Sequence, residues 1–220
     1  MKQPPVRYLI WDWNGTLLDD VSACVAALNV LLYRKRLPRI QLPRYRAVFG
    51  FPVRNYYETL GFQLTAEEWR QTAADYHRIY ARTAATAPLR AGIRNTLRQL
   101  DHQGIPSAVL SASEIGILRI MIAARNLEGR FAQIAGLPNR FAHSKLDAGR
   151  ALLKKLPVPP EEMLLIGDTD HDYEVACELH CRCILLTGGH QSRARLRACG
   201  CPVIADVRRL PALLGLPRSS

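Results

Sequence analysis

LIWDWNGTLLDD, residues 9–20, ends an apolar run on an acid, Asp12, and continues with an aromatic residue, an amide and a glycine. An apolar run without polar alternation is typical of a strand that is covered on both faces in a parallel sheet. Asp12 then lies at the carboxyl end of that strand, where the loops of a parallel sheet form the ligand-binding crevice. The stretch therefore predicts both an α/β fold and the place of its site.

Other apolar runs, each bounded by turn residues, predict the remaining strands. The first run begins at residue 6, and the others cover 106–111, 131–136, 162–167, 181–186 and 202–205. Helical periodicity fills the intervals, at 92–103, 113–126, 145–155, 172–180, 191–199 and 207–214. Strands that alternate with helices indicate a parallel, Rossmann-like sheet wrapped by helices.

The stretch from about 20 to 86 breaks this rhythm, because it contains no clear strand. Its helical patterns lie at 19–35, 42–48, 53–60 and 66–84, and the last is opened by the capping box Thr65-Ala-Glu-Glu68. We predict an all-helical cap domain, residues 19–86. It is inserted into an α/β core domain made of residues 1–18 and 87–220.

Composition is that of an ordinary globular protein, with 48% hydrophobic and 22% charged residues in a chain of 220. The formal charge of +11 comes from scattered basic residues, which favours a solvated surface over a nucleic-acid interface. No apolar run is long enough to span a bilayer, and the first residues lack a signal-peptide pattern. We expect a cytoplasmic monomer or homodimer with no nucleic-acid or membrane partner.

The cysteines invite a second interpretation. Cys181-x-Cys183 and Cys199-x-Cys201 resemble fragments of a zinc site, with His180 or His190 as further ligands. Each pair, however, adjoins an apolar run, and its spacing is shorter than that of the usual zinc knuckle. Strand starts with reduced thiols are therefore favoured.

Polar and charged side chains that could bind a ligand or take part in catalysis follow the predicted strands. Each alone has an ordinary explanation, such as helix capping. Together they form a set, since the carboxyl ends of parallel strands share one crevice. The set is Asp12, Asn14, Ser111, Lys145, Asp168, Asp170 and Asp172.

This set predicts phosphoryl-transfer chemistry. Several carboxylates in one crevice repel each other unless a cation lies among them, and hard oxygen ligands suit Mg²⁺. A hydroxyl, backbone amides at a helix start and a lysine suit an oxyanion such as phosphate. A carboxylate is also available as the nucleophile.

The chain resembles the haloacid dehalogenase-like superfamily. Asp12-Trp-Asn-Gly-Thr-Leu-Leu-Asp19, the strand that ends on Ser111, Lys145, and Gly167-Asp-Thr-Asp-His-Asp172 match its four motifs in order. The helical insertion is similar to the cap of phosphatases related to phosphoglycolate phosphatase, as are residues 49–62 and the return at 88–93.

The resemblance implies a role for each matched residue. Asp12 attacks phosphorus and forms an aspartyl-phosphate, and Mg²⁺ is held by Asp12, Asp168 and the backbone carbonyl of Asn14. Asp172 is a further ligand of the metal or supports those ligands. Ser111, Ala112 and Lys145 hold the phosphoryl oxygens, and Lys145 also steadies the charge of Asp12. A small phosphorylated metabolite is the expected partner.

Asn14 departs from the pattern of the family's phosphatases. These usually carry an acid there, which protonates the leaving oxygen and then activates water, a contribution of about 10²- to 10⁴-fold. The leading interpretation is a phosphatase whose substrate has a good leaving group, or one that uses Asp19, Asp170 or His171 instead. Deamidation of Asn14 within its Asn-Gly pair would also restore the acid.

Two alternatives remain open. Phosphonate-cleaving members of the family use a cap lysine, for which residues 20–86 offer only Lys35. A catalytically weak relative would bind a phosphorylated ligand or a partner without turnover. Substrate choice is expected to come from the cap, where Arg54 is a candidate to pair with a substrate carboxylate or second phosphate.

Overall fold

The structure is a computed structural model that describes residues 4–139 and 144–217. In these ranges the chain forms one six-stranded sheet in the order β3-β2-β1-β4-β5-β6, and every pairing is parallel. The strands are β1 (Tyr8–Trp11), β2 (Ser107–Glu114), β3 (Gln133–Leu137), β4 (Met163–Gly167), β5 (Arg182–Leu186) and β6 (Val203–Ile204). The predicted α/β class with a Rossmann-like core is confirmed.

Four helices follow β1 in the chain, before a fifth helix and the second strand. They are α1 (Val21–Arg34), α2 (Leu42–Val48), α3 (Val53–Thr59) and α4 (Ala66–Thr83), and we call residues 21–83 the helical segment. Thr65 and Glu68 form the predicted capping box, in which each side chain bonds the other residue's backbone amide. The division into a core and a cap domain remains a prediction.

The other helices cover the sheet. They are α5 (Ile93–His102), α6 (Ile115–Ala123), α7 (Leu146–Leu153), α8 (Asp170–Glu178), α9 (Arg193–Ala198) and α10 (Leu210–Leu213). Side chains of β1 alternate between the two faces, so that Leu9 and Trp11 join one apolar cluster while Tyr8 and Ile10 join the other. Both faces of the central strand are thus buried, as its unbroken apolar sequence predicts.

The second strand is longer than the sequence predicts. It continues to Glu114, so Ser111 lies inside β2 rather than after it. Glu114, not a serine, caps α6, because its carboxylate accepts hydrogen bonds from the amides of Gly116 and Ile117.

The structure also bears on two alternatives that the sequence disfavours, a membrane span and a zinc site. The described helices include none that combines the length and the apolarity needed to cross a membrane. Among residues 4–139 and 144–217, the clusters of potential metal ligands are Asp20, Cys24 and His190, and Asp12, Asp168 and Asp172. Neither contains a cysteine of the two C-x-C pairs.

Candidate active site

Asp12 and Lys145 form the centre of the site. Asp12 follows the central strand, and its amide donates to the carbonyl of Ile166, which keeps it at the mouth of the sheet. Lys145 is the residue before α7, and its Nζ lies 2.5 Å from Oδ1 of Asp12 and 2.5 Å from Oδ1 of Asp172. A buried ammonium thus joins the expected nucleophile to a second carboxylate.

Asp168 and Asp172 come from the loop after β4 and the first turn of α8. Both are fully buried. Oδ1 of Asp168 accepts from the hydroxyl of Thr16 at 2.7 Å, and its Oδ2 accepts from the amide of His190 at 2.6 Å. Oδ2 of Asp172 accepts from the amides of Asp168 and Thr169 and from the hydroxyl of Thr169. These donors fix both carboxylates in place.

The three carboxylates fit a hard divalent cation. One oxygen of each of Asp12, Asp168 and Asp172 lies within 4.8 Å of the others. Burial raises the pKa of Asp12 to about 8, and Asp172 and Asp168 add to this effect while Lys145 opposes it. Burial also raises the pKa of Asp168. Buried carboxylates of this kind would gain from a cation among their oxygens, and hard oxygen ligands suit Mg²⁺.

Gly15 is required by this geometry. Its φ of +73° is in the left-handed region, and a Cβ there would lie 2.4 Å from Oδ2 of Asp168 and 2.5 Å from the ring of His190. The glycine of the sequence motif therefore allows the loop after β1 to pass directly over the Asp168 carboxylate.

The side chain of Asn14 is held by three polar groups. Its Nδ2 donates to Oδ2 of Asp20 at 2.7 Å and to the hydroxyl of Tyr80 at 2.8 Å. Its Oδ1 accepts from the hydroxyl of Ser113 at 2.7 Å. The amide is thus built into a network that reaches from the loop after β1 to α4.

Asp20 is the centre of that network. It is completely buried and accepts from the amide of Gly15 at 2.8 Å and from the hydroxyl of Tyr80 at 2.6 Å. Nε2 of His190 lies 3.5 Å from Oδ1 of Asp20, and Nδ1 of His190 is 2.8 Å from the hydroxyl of Tyr45. Asp20 and His190 form a buried ion pair.

The pKa values of this pair move apart. Burial disfavours the charged form of Asp20, but His190, Tyr80 and Asn14 outweigh it and lower the pKa of Asp20 to about 2. Burial likewise opposes a charge on His190, and Asp20 outweighs it, so the pKa of His190 rises to about 9. Both groups are charged at neutral pH.

A cavity of about 150 Å³ opens from these residues into the helical segment. Asp12, Asn14 and Lys145 lie at one end, together with Ser111, Ala112 and Ser113. The helical segment contributes an aromatic part of the lining. Its residues are Tyr45, Phe49, Phe51, Tyr56, Tyr57, Trp69, Tyr76 and Tyr80.

The structure brings most of the predicted site residues together. Asp12, Asn14, Ser111, Ala112, Lys145 and Asp172 line the cavity, and Asp168 adjoins it through the cluster with Asp12. Arg54 is placed elsewhere, because its Nη2 donates to the carbonyl of Leu64 and its Nε lies 3.5 Å from Glu58. Lys35 is also outside the cavity, where it pairs with Glu68.

The three alternative acids differ in position. Asp19 is exposed, and Asp170 is engaged by Arg195 at 2.5 Å and by Gln191 at 2.7 Å. His171 alone of the three lines the cavity. It is buried and stacks on Phe51, and burial together with the charge of Lys145 lowers its pKa.

The sequence does not predict that three further residues belong to the site network. These residues are Asp20, Tyr80 and His190. Asp20 follows Asp19 in the first motif, and His190 follows a glycine pair directly after a strand, which is the available signal for each. Tyr80 lies 60 residues from Asp20 on an amphipathic helix, where an inward tyrosine looks like any core residue.

Comparison with known proteins agrees with the fold and the motifs. The family model for haloacid dehalogenase-like hydrolases matches residues 9–186. The chain belongs to the haloacid dehalogenase-like hydrolase family.

Its relatives include phosphatases. The chain is 26% identical over 191 residues to a phosphoglycolate phosphatase of Pectobacterium atrosepticum, covering 84% of this chain and 82% of the relative. It is 26% identical over 205 residues to a probable phosphatase, IndB, of Dickeya dadantii, covering 90% and 88%.

Solved structures share the fold. A haloacid dehalogenase-like family hydrolase from Streptococcus pneumoniae superposes with a TM-score of 0.82 at 20% identity, over 94% of this chain and 98% of that one. CbbY from Rhodobacter sphaeroides, solved in complex with phosphate, has a TM-score of 0.67 at 19% identity, over 96% and 100%.

Proposed function

We propose that the protein is a Mg²⁺-dependent phosphatase that hydrolyses a small phosphate monoester through an aspartyl-phosphate on Asp12. The observation that carries the proposal is the contact of Asp12 with Lys145 at the end of the central strand, beside Asp168 and Asp172. Membership of a hydrolase family and similarity to phosphatases support it.

Two chemical steps follow from these residues. A carboxylate oxygen of Asp12 forms a bond to phosphorus as the bond between phosphorus and the leaving oxygen breaks. Water then attacks the aspartyl-phosphate, which releases inorganic phosphate and regenerates Asp12. Lys145 and Ser111, with the backbone at Ala112, bind the phosphoryl oxygens and stabilise the charge that develops on them.

Mg²⁺, when bound by Asp12, Asp168 and the carbonyl of Asn14, neutralises phosphate charge. We assign Asp172 mainly to holding Lys145, because Oδ2 of Asp172 already accepts from three donors and its Oδ1 from the ammonium. Loss of Asp172 would therefore disturb Lys145 as well as the cation.

Asn14 determines which substrates suit the site. An amide cannot give a proton to the leaving oxygen, so the leaving group must depart as a stable anion. We therefore propose a substrate with a good leaving group. The helical segment closes the cavity around it and keeps out water.

A second candidate function is binding without turnover. It is favoured by the full engagement of Asn14 with Asp20, Tyr80 and Ser113, which leaves its amide structural. Such a protein would bind a phosphorylated ligand at Lys145 and Ser111 and release it unchanged.

Hydrolysis of p-nitrophenyl phosphate with and without Mg²⁺ tests the proposal, since nitrophenolate leaves without a proton. We expect Mg²⁺-dependent release of phosphate, little release from alkyl phosphates, and none from Asp12→Asn. Asp147→Asn is the matched control, because the side chain of Asp147 is 97% exposed at the surface of α7. Phosphate binding without hydrolysis of either class of ester would favour the second function.

A further inference from the structure

The part of the cavity wall that the helical segment contributes, which we call the aromatic wall, is built from rings. Phe49 and Tyr56 pack edge to face with centroids 5.3 Å apart, and Phe49 packs against Phe51 in the same manner at 5.6 Å. Phe51 in turn stacks on His171 at 4.6 Å. These mutual contacts hold the rings in fixed positions, so the wall presents a preformed apolar surface.

Charge is distributed unevenly along the cavity. Among the lining residues that the structure describes, Lys145 is the only lysine or arginine, and it is already bound to Asp12 and Asp172. Nε2 of His190 lies 3.5 Å from Oδ1 of Asp20. The aromatic wall therefore offers no unpaired lysine or arginine to a second anionic group, such as the carboxylate of phosphoglycolate.

The size of the cavity limits what can lie against this wall. Its volume is about 150 Å³. An apolar protein cavity of about that volume accommodates benzene. Because the same volume also contains the phosphoryl position, one six-membered ring is the largest group that the cavity can take beside it.

We infer that the substrate is the phosphate ester of a phenol-like hydroxyl, whose single aromatic ring packs against Phe49, Phe51 and Tyr76. The inference rests on the proposed function and gives its substrate class. Two independent features support it. The wall suits an uncharged ring, and a phenolate leaves without the proton that Asn14 cannot supply.

Non-hydrolysable ligands test the ring pocket apart from catalysis. The affinities of phenylphosphonate and methylphosphonate for the wild-type protein with Mg²⁺ are compared by titration calorimetry. Burial of the ring predicts at least about tenfold tighter binding of phenylphosphonate. Equal affinities, or no binding of either ligand, would overturn the inference.

A pair of variants locates the ring. Phe51→Ala is expected to reduce the preference for phenylphosphonate by about two- to tenfold, because one face of the pocket is lost. Tyr33→Ala is the control, since Tyr33 is 84% exposed on α1. An unchanged preference in Phe51→Ala would show that the ring does not lie there.

Measurements of turnover with different esters distinguish a failure of this inference from a failure of the proposed function. With Mg²⁺, kcat/KM for phenyl phosphate is expected to exceed that for phosphoglycolate and for benzyl phosphate, whose ring is similar but whose leaving group is poor. A higher kcat/KM for phosphoglycolate would leave the proposed function intact and refute the aryl substrate. If no ester is hydrolysed, the proposed function fails. The preference for phenylphosphonate over methylphosphonate then remains as the test of whether an aromatic ring binds in the cavity.

Discussion

Nδ2 of Asn14 donates to a carboxylate oxygen of Asp20 at 2.7 Å. An aspartate at position 14 could make this contact only if one proton were shared between the two carboxylates. Asp20 is buried, and its pKa is lowered to about 2, so it is an anion that needs donors. The amide supplies one. The structure thus accounts for Asn14 by its neighbour: an amide is the residue that can satisfy Asp20 there.

Exchange of the two side chains tests this explanation. In Asn14→Asp the two carboxylates compete for one proton, and we expect lower stability. In Asn14→Asp/Asp20→Asn the hydrogen bond is kept with the acid moved to position 14. Hydrolysis of an alkyl phosphate should then rise by about 10²- to 10⁴-fold relative to wild type.

The ratio of alkyl to p-nitrophenyl turnover is the measurement, because it is insensitive to the amount of folded enzyme. The single variant Asp20→Asn, which keeps Asn14, serves as the control. An unchanged ratio in the double variant would mean that position 14 does not limit the choice of leaving group.

The ion pair of Asp20 and His190 predicts a pH dependence of stability. The pKa of His190 is raised to about 9 in the folded state, above its unfolded value of about 6.5. Its contribution is therefore complete below about pH 6.5 and is lost as the pH rises through 9. His190→Gln should lower the free energy of unfolding by up to about 3 kcal/mol near pH 6 and by much less near pH 10.

Urea unfolding of wild type and His190→Gln at both pH values measures this difference, in which groups common to the two proteins cancel. His102→Gln, at the exposed end of α5, is the control. A cost that is the same at both pH values would show that His190 is neutral in the folded protein.

Individual site residues could be predicted where strand position alone places them. Asp12, Lys145, Asp168 and Asp172 meet because parallel strands end at one edge. The charge of Arg54 makes it a candidate from the sequence, but it lies outside the cavity, where Glu58 and the carbonyl of Leu64 engage it. Contacts of that kind depend on side-chain packing, which a single sequence does not reveal.

At the scale of elements, α4 connects the helical segment to the site. The hydroxyl of Tyr80 donates to Asp20 at 2.6 Å and accepts from Asn14 at 2.8 Å. α4 is positioned for this by its apolar face, which buries Trp69 and Ala73, and by its capping box. A single hydroxyl thus joins the helix to the loop after β1.

Removal of that hydroxyl should be costly. In Tyr80→Phe a buried carboxylate loses a donor, and we expect a loss of about 1 to 3 kcal/mol in the free energy of unfolding. Denaturant unfolding measures it, with Tyr33→Phe as the exposed control. If Tyr80→Phe costs as much in an Asp20→Asn background, the two residues are not coupled.

The helices and strands themselves were predicted well, because periodicity and turn residues determine them locally. The predicted α4, 66–84, is observed as Ala66–Thr83. The exception is β2, which continues to Glu114 through its pairing with β3. The length of a strand depends on the neighbouring strand with which it pairs. The mostly polar stretch SASE at 111–114 therefore gives no local sign that the strand continues.

At the scale of the whole molecule, the charge is +11, yet the site concentrates acids. Asp12, Asp20, Asp168 and Asp172 are all buried within it. A positive surface attracts anionic esters over distances of about a Debye length. The net charge of the chain and the charge of its buried acidic cluster are therefore opposite in sign.

Mg²⁺ should stabilise the folded protein by relieving repulsion among Asp12, Asp168 and Asp172. At about 100 times its dissociation constant the gain is about 2.7 kcal/mol, visible as a higher Tm. Asp168→Asn should reduce the shift, while Asp147→Asn, on the exposed face of α7, should retain it. An equal shift in both variants would place the cation elsewhere.

The excess of buried acids also affects how the metal ion and the nucleophile depend on each other. Among the described residues of the site, four acids lie near two cations, Lys145 and His190, and without a metal ion Asp12 holds a proton at neutral pH because its pKa is about 8. We expect Mg²⁺ to displace this proton, so that binding of the metal converts Asp12 from an acid into a nucleophile. The cation and the proton thus compete for the same carboxylate oxygens.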